Sequence, residues 1–394
     1  MDHYRYLIIG GGMTADSAVR GIRQIDAQGT IGLFGREPDP PYDRPPLTKS
    51  LWKTKPLEKI WRNTAALHVE LHLGQNIRAL DLPAKQVEDD HGKRYAFDKL
   101  LLATGGTPRR LEFDTGQIIY YRTLADYRRL RELTERGRRF VVVGGGFIGS
   151  ELAAALAMNG KQVVMIYPEA WIGSRIFPPA LAQFVSGYYQ EKGVELWPGD
   201  AAVKVSSAGQ QWKVQTRQGR EVAADGVVAG LGITPTVELA ERAGLAVENG
   251  IKVDELLRAS HSDVYAAGDA ANFFNPVLGQ RLRVEHEDNA NMMGLAAGRI
   301  MAGQVEPYHH LPFFFSDLFE LGYEAVGELD PRLDIVTDWS EPNRTGVVYY
   351  LKAGRVRGVL LWNVWNQVEA ARRLIAQAGP IAPEALKGRL PEPA

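Results

Sequence analysis

The chain has 394 residues, enough for two or three domains with full cores. Its 45% hydrophobic and 24% charged content is that of an ordinary globular protein, and 46 basic against 47 acidic residues leave a net charge of -1, so no global basic field draws it onto nucleic acid. It contains no cysteine, which excludes relay through an active-site disulfide, sulfenic-acid chemistry, thiolate metal sites and Cys-ligated iron–sulfur clusters.

Electrons that enter such a chain must leave from a bound organic cofactor to something outside it. No apolar run reaches the roughly 18 residues that cross a bilayer, and the first strand is expected from about residue 4. The expectation is a cytoplasmic protein without a membrane span.

Tyr6-Leu7-Ile8-Ile9 reads as a buried strand that runs into Gly10-Gly11-Gly12-Met13-Thr14-Ala15, a G-x-G-x-x-A pattern. Such glycines allow a tight strand-to-helix turn and close approach of backbone to a pyrophosphate, while the helix N-terminus adds N–H donors and positive partial charge. A helix is expected to about residue 28 and a strand at 31–34. That strand ends Gly35-Arg36-Glu37, where Glu37 is either the acid that holds ribose hydroxyls or a solvated loop charge. Residues 39–49, DPPYDRPPLTK, are either a proline-stiffened surface loop or a segment whose prolines aim Arg44 at a phosphate and Lys49 at a reactive ring.

Residues 68–99 alternate strand-like runs at 69–73, 77–80 and 86–88 with turns, which suggests an antiparallel excursion. KLLLATGG at 99–106 then supplies the return strand of a first nucleotide unit, with a domain boundary near 108–122. Arginines follow at 122, 128, 129, 131, 136, 138 and 139, interleaved with Asp126, Glu132 and Glu135. They read as a solvated helix face, or else as a docking face for an acidic partner with Arg122 on the cofactor.

The strongest pattern is FVVVGGGFIGSE at 140–151: a buried strand, Gly144, Gly146 and Gly149 at G-x-G-x-x-G spacing, and a helix through LAAALA. Two such turns point to two dinucleotides. QVVMIY at 162–167 is the next strand, and Glu169 lies 25 residues beyond Gly144. An acid there accepts both adenosine-ribose hydroxyls and repels a 2′-phosphate, which favours NADH, while Arg175 nearby leaves NADPH open. Residues 194–230 read as strands and a hairpin ending in the glycine-rich run at 226–232.

DVYAAGDA at 263–270 is a short strand that delivers Asp269 into a turn, either a plain Gly-Asp turn or an acceptor for a ribityl hydroxyl of FAD. In the second case the chain returns there to complete its first domain. EHEDNA at 285–290 leads a helix to about residue 301, with His286 at a capping or surface position. From about 306, strand-like runs at 323–327, 347–351 and 356–361 precede WNVWN at 362–366 and a helix to 378. Phe313, Phe314, Phe315, Trp362 and Trp365 are expected in the core, some of them as walls for a flat ring. The proline-rich tail at 379–394 is expected to be loosely held.

In combination, PYDRPPLTKSLW, LLATGGTPR, VVVGGGFIGSELA, VYAAGDAA and RVEHEDNA resemble the FAD-dependent pyridine-nucleotide reductases of the two-domain glutathione-reductase fold. The likeness covers essentially the whole chain. It is to the thiol-free branch that includes ferredoxin and rubredoxin reductases, monodehydroascorbate reductase and apoptosis-inducing factor. RVEHEDNA, SDLFELGYEAVGELD and GVVYYL with GVLLWNVWNQ point to apoptosis-inducing factor and its bacterial relatives.

The resemblance implies an α/β fold of two Rossmann-like dinucleotide-binding domains plus a small α+β C-terminal domain. The FAD domain is discontinuous at 1–112 and 235–305, the NADH domain spans 113–234, and the C-terminal domain 306–394. It implies FAD along Gly10, Gly12, Met13, Thr14, Ala15, Glu37 and Ile77, with Arg44, Lys49, Arg122 and Asp269 on its phosphate, ring and ribityl regions, and His286 and Glu287 beside the isoalloxazine. It implies NADH at Gly144, Gly146, Phe147, Ile148, Glu151, Glu169, Arg175, Gly232, Glu285, Phe315, Glu324 and Asn366. Phe147 is implied to shield the flavin until nicotinamide displaces it. Lys49 from the FAD domain and Glu151 from the NADH domain are implied to pair close to flavin N5, and with His286 they form the implied catalytic set. No metal is implied.

There are departures from the family pattern. Arg36 stands where an acid is usual, leaving ribose recognition to Glu37, and Phe315 stands where tryptophan is common, a ring that stacks without an N–H to donate. The implied activity is hydride transfer from NADH to FAD and delivery of electrons to an external acceptor, either a small iron–sulfur protein such as a ferredoxin or rubredoxin, or a quinone or other small oxidant. A second implied role is a redox-responsive protein whose NADH-reduced state controls dimerisation or a partner. The chain is expected as a monomer or homodimer. The C-terminal insertion and targeting leader of the animal apoptotic factor have no counterpart in the pattern, so an apoptotic role is not implied.

Overall fold

The computed structural model describes residues 1–114 and 116–390, which form two compact units. The first comprises Met1–Arg44, Pro56–Thr107 and Thr234–Pro312; the second comprises Pro45–Lys55, Pro108–Ile233 and Phe313–Ala394. The segment that carries Lys49 therefore packs with the second unit, as do the C-terminal strands.

In the first unit the near-continuous apolar runs form parallel strands covered on both faces. Their order is Glu70–Leu73, Ile31–Gly35, Asp2–Ile9 and Arg94–Leu102, and Val264–Ala266 pairs in parallel with the end of Arg94–Leu102. The antiparallel excursion is narrower than the sequence suggests. Ile77–Asp81, Gln86–Asp89 and the start of Arg94–Leu102 pair antiparallel, but Glu70–Leu73 joins the parallel sheet beside Ile31–Gly35. The crossover to it is built from short 3-10 turns, so the alternation of strand and helix that marks a parallel unit is absent from the sequence.

The helices Met13–Ile25 and Glu287–Met301 pack backbone to backbone. A Cβ on Gly294 would lie 2.4 Å from the Thr14 carbonyl oxygen, and one on Gly298 would lie 2.0 Å from that of Ala18. Around this contact Leu7, Ile8, Ala18, Leu100, Leu101, Met293 and Ala297 are fully buried.

In the second unit Val194–Pro198, Gln162–Tyr167, Arg139–Val143, Gly226–Ala229 and Ile119–Tyr120 form a parallel sheet in that order. The arginine-rich stretch is the helix Leu124–Arg136. It starts at Thr123 through a capping box with Asp126, which satisfies backbone donors that would otherwise be orphaned. Ala202–Ala208, Gln211–Thr216 and Glu221–Ala224 form an antiparallel sheet of three strands. The C-terminal part is a five-stranded antiparallel sheet ordered Phe313–Leu318, Leu321–Gly327, Arg355–Trp362, Thr345–Lys352 and Asp334–Glu341, followed by the helix Val368–Ala376.

Through residue 390 the tail is held, contrary to the expectation from its prolines; residues 391–394 lie outside the described part. Leu386 is 0% exposed and Leu390 4%, and the Gly388 N–H donates to Asp338 Oδ2 at 2.7 Å. Two buried leucines, four residues apart, outweigh the proline composition. Leu386→Ala is expected to destabilise the protein by about 2–4 kcal/mol, the range for a buried leucine. A denaturant midpoint that falls at constant m checks this; a shift within about 0.5 kcal/mol, the size of a surface substitution, would return the tail to a loose description.

Candidate functional site

The first glycine turn closes the strand Asp2–Ile9 onto the helix Met13–Ile25. Gly10 has φ +132°, and a Cβ there would lie 2.0 Å from the Ala103 carbonyl oxygen, so any side chain would block the turn. Over the turn the space is open, the nearest atom to a Cβ on Gly12 being Arg44 Nη2 at 4.0 Å. The helix begins at Gly12 without a side-chain cap. A cradle with room above it, an uncapped helix N-terminus and a guanidinium alongside fits a dinucleotide pyrophosphate.

The side chains proposed to line this cradle bind one another. Glu37 accepts from Tyr42 OH at 2.6 Å and from Arg44 Nη2 at 2.5 Å, and the Arg44 N–H donates to Met13 Sδ at 3.3 Å. Burial works against the Arg44 guanidinium, but Tyr42, Glu37 and Asp269 more than offset it, and its pKa is raised. Arg36 is exposed. Gly74 and Gln75 donate to the Glu37 and Gly35 carbonyls, which brings the chain just before Ile77 beside this strand end; the Ile77 side chain itself is in the core. Ala15 is fully buried. The Asp269 turn, Gly268–Ala270, packs on Thr14, and His286 is the extended N-cap residue of Glu287–Met301.

One residue that sequence reading overlooked is Asp16, fully buried in the first turn of the same helix. Burial pushes its carboxyl up, but hydrogen bonds from Arg20, Arg62 and Thr64 hold it below the ordinary range. Arg20 and Arg62 balance its buried negative charge beside the glycine turn. Its only sequence signal was an acid at a helix start, which is common everywhere.

The second glycine turn repeats the first. Gly144 has φ +115°, a Cβ there would lie 2.4 Å from the Gly230 carbonyl oxygen, and Gly146, at the uncapped start of Phe147–Met158, has open space around it. Ile148 is half-buried and Phe147 is 36% exposed, its ring edge-on to Phe314 at 5.2 Å. Glu169 follows Gln162–Tyr167 and is held by Arg175 at 2.6 Å; that arginine is 81% exposed. An ion pair so exposed contributes little stability.

Glu151, 4% exposed in the helix Phe147–Met158, gathers a buried polar cluster. Lys49 Nζ lies 2.6 Å from its Oε1, Ser316 Oγ donates to Oε1 at 2.6 Å, and Thr48 Oγ1 donates to Oε2 at 2.5 Å. Lys49 also lies over the Phe315 ring, 5.2 Å from its centroid. Burial first, and then the Glu151 charge, push the Tyr189 and Tyr323 hydroxyls well above the ordinary phenol range. Thr48 and Ser316 were not among the expected site residues, and neither carries a signal of its own in the sequence.

Phe315 pairs across the sheet with Glu324. Glu324 Oε2 is buried without a hydrogen bond, and burial raises its carboxyl pKa, opposed by the Asn366 backbone N–H. Asn366 sits in a left-handed turn at φ +62° beside Trp365, which is 41% exposed rather than in the core. Gly232 is exposed, its carbonyl accepting from the Arg109 N–H. Arg122 precedes the cap of Leu124–Arg136, while Glu285, His286 and Glu287 belong to the first unit. Among the described residues no group of His, Asp and Glu could hold a metal ion, and no helix is long and apolar enough to cross a membrane.

Residues 4–294 match the family described as pyridine nucleotide-disulphide oxidoreductase, and residues 340–377 match the C-terminal family of mitochondrion-associated apoptosis-inducing factor. The chain is 34% identical to apoptosis-inducing factor 1, mitochondrial, of Dictyostelium discoideum, over 95% of this chain and 79% of that protein. It is 33% identical to the ferredoxin–NAD(+) reductase component of the anthranilate 1,2-dioxygenase system of Burkholderia cepacia, over 97% and 96%. Among solved structures it is similar to the covalent putidaredoxin reductase–putidaredoxin complex, with a TM-score of 0.91 at 30% identity over 98% of this chain and 95% of that one. With its two glycine cradles and no thiol, the chain belongs to the pyridine nucleotide-disulphide oxidoreductase family, in its thiol-free branch, and is an FAD-dependent NAD(P)H oxidoreductase.

Proposed function

We propose that the first unit binds FAD, that the second binds the nicotinamide nucleotide with a preference for NADH, and that the electrons go to a small iron–sulfur protein. The single observation that carries this is the Lys49–Glu151 pair with its two hydroxyl donors, a buried charge constellation in a chain that has no thiol to use. When bound, FAD would supply the redox chemistry, accepting a hydride equivalent from reduced nicotinamide and passing electrons on one or two at a time.

The chain's own residues orient and polarise. Gly10, Gly12, Met13, Thr14, Ala15, Glu37, Arg44, Ile77, Arg122, Asp269, His286 and Glu287 hold the flavin nucleotide. Gly144, Gly146, Phe147, Ile148, Glu169, Arg175, Gly232, Glu285, Phe315, Glu324 and Asn366 hold the nicotinamide nucleotide. Lys49 supplies a fixed positive charge that favours added electrons on the ring, Glu151 keeps that lysine in place, and His286 completes the catalytic group.

The NADH preference rests on Glu169, whose carboxylate accepts ribose hydroxyls and repels a 2′-phosphate. Glu169→Ala removes the repulsion and releases Arg175 to pair with a phosphate. The ratio of kcat/KM for NADPH to that for NADH is expected to rise about tenfold or more; an unchanged ratio in steady-state assays would count against Glu169 as the selector.

Docking of an iron–sulfur protein is supported by the kind of relatives described above and by the exposed Arg128, Arg129, Arg136 and Arg138 on and after Leu124–Arg136. The test is anaerobic reduction of the holoprotein by NADH, followed by turnover with a ferredoxin, a rubredoxin and a quinone over a range of salt. The reading predicts bleaching by NADH and turnover with an iron–sulfur acceptor that falls as salt rises. A holoprotein that NADH does not bleach overturns it, and salt-independent turnover with quinone alone removes the protein acceptor. A redox-responsive role is the second reading, favoured by the match over residues 340–377. It predicts slow turnover with every acceptor and long-wavelength absorbance that persists in air after NADH is added.

A further inference from the structure

We infer that Arg283 is a positioning residue that aims the Glu285 carboxylate at the pyridine nucleotide and ties it to the Asp269 turn; this rests on the reading of Glu285 as a nucleotide-binding residue. In RVEHED the two residues are spaced to share one side of an extended segment. Arg283 lies in that segment, just after the strand Gln280–Leu282, and its side chain is only 8% exposed.

The guanidinium is received on three sides. Nη2 lies 2.7 Å from Glu285 Oε1, Nη1 donates to the Asp269 carbonyl oxygen at 3.2 Å, and Nε donates to Asn249 Oδ1 at 3.2 Å. The receptacle is built for this side chain. Asn249 and Gly250 both have positive φ, +46° and +120°, and a Cβ on residue 250 would come within 3.0 Å of Arg283 Cδ. A planar fork reaches acceptors in three directions at once, which an ammonium on a flexible stem cannot do.

The partner carboxylate is held at one oxygen and presented at the other. Glu285 is 33% exposed at its side chain, and among the described residues its only recorded partner is Arg283, through Oε1. A carboxylate oxygen left within reach of solvent can take a donor from a ligand in place of water. Here Oε2 remains an acceptor for a donor that arrives from outside, such as the carboxamide N–H of a nicotinamide, and Arg283 keeps the group fixed in direction. The same guanidinium grips the backbone of Asp269, so the orientation of Glu285 is referred to the flavin-binding turn and not to its own flexible segment.

The test is a double-mutant cycle in the holoprotein with Glu285→Gln, Arg283→Met and the pair, backed by Arg283→Lys in case the methionine variant loses FAD. Each is assayed for FAD content, melting temperature, and KM and kcat with NADH. Glu285→Gln is expected to raise KM about tenfold. Arg283→Met and Arg283→Lys should raise it comparably with kcat within about twofold, and the double variant should be no worse than Glu285→Gln alone. An unchanged KM in Glu285→Gln sinks the nucleotide-binding reading of Glu285 and this inference with it. A raised KM in Glu285→Gln with an unaltered Arg283→Lys sinks this inference alone, as do additive effects in the double variant.

Discussion

Glu151→Ala is expected to slow reduction of the bound flavin by NADH about 10²- to 10³-fold, the loss that follows removal of one preorganised electrostatic partner, and to destabilise the protein at the same time. Glu151 is 4% exposed and the Lys49 side chain 11%. Truncating the acid strands a buried ammonium, and breaking such a pair costs about 3–5 kcal/mol. Lys49 escapes that cost by swinging toward water, which removes the charge the site depends on. The hydroxyls of Thr48 and Ser316 lose their acceptor together with it.

Glu151→Gln separates the two effects, because the amide oxygen still accepts from a hydroxyl and keeps the volume filled. It is expected to recover the packing and hydroxyl-acceptor part of the stability loss, not the part owed to the stranded ammonium, and little of the rate. Stopped-flow absorbance and denaturant titration on the two variants decide the matter. A glutamine variant as fast as the parent would show that the charge is structural.

The second large effect concerns two helices in the first unit. An alanine in the middle of a helix is ordinarily more stable than a glycine there, by about 0.5–1 kcal/mol. Gly298→Ala is expected to have the opposite sign, because its Cβ would lie 2.0 Å from the Ala18 carbonyl oxygen and 2.9 Å from the Ile22 nitrogen, both backbone atoms that no rotamer change can move aside. Forcing the helices apart costs about 1–3 kcal/mol for added methylenes in a packed core. It also shifts the ends that matter. Met13–Ile25 begins at the glycine cradle, and Glu287–Met301 begins at His286. The variant should melt lower and retain less FAD after dialysis, and Gly298→Leu should fail to hold FAD at all. A higher melting temperature in Gly298→Ala would refute the close contact.

What could be read from the sequence followed how local its causes are. Both glycine cradles, their strands and the helices after them were legible because strand, turn and helix lie within a dozen consecutive residues and only glycine fits the turn. The capping box at Thr123 and Asp126 was legible in principle for the same reason. Thr48 and Ser316 were not, since they reach Glu151 across 103 and 165 residues and a lone hydroxyl residue announces nothing. The pairing of Lys49 with Glu151 came from resemblance alone. Glu70–Leu73 was misplaced because its crossover has no helix, and the tail was misjudged because its prolines masked two buried leucines. Trp365 was assigned to the core by hydrophobicity, yet it is exposed beside the left-handed Asn366.

On the reading proposed above, the hydrogen bonds that Glu37 accepts from Tyr42 and Arg44 would make the flavin seat a filter. An anion that comes to the guanidinium finds it engaged and must outcompete an adjacent carboxylate. A free phosphate or sulfate has too few contacts to do so. A long ligand that lay along the glycine turn, the Asp269 loop and the strand end at Glu37 would gather enough of them to win the cation, so occupancy would be reserved for molecules that match the seat over its whole length.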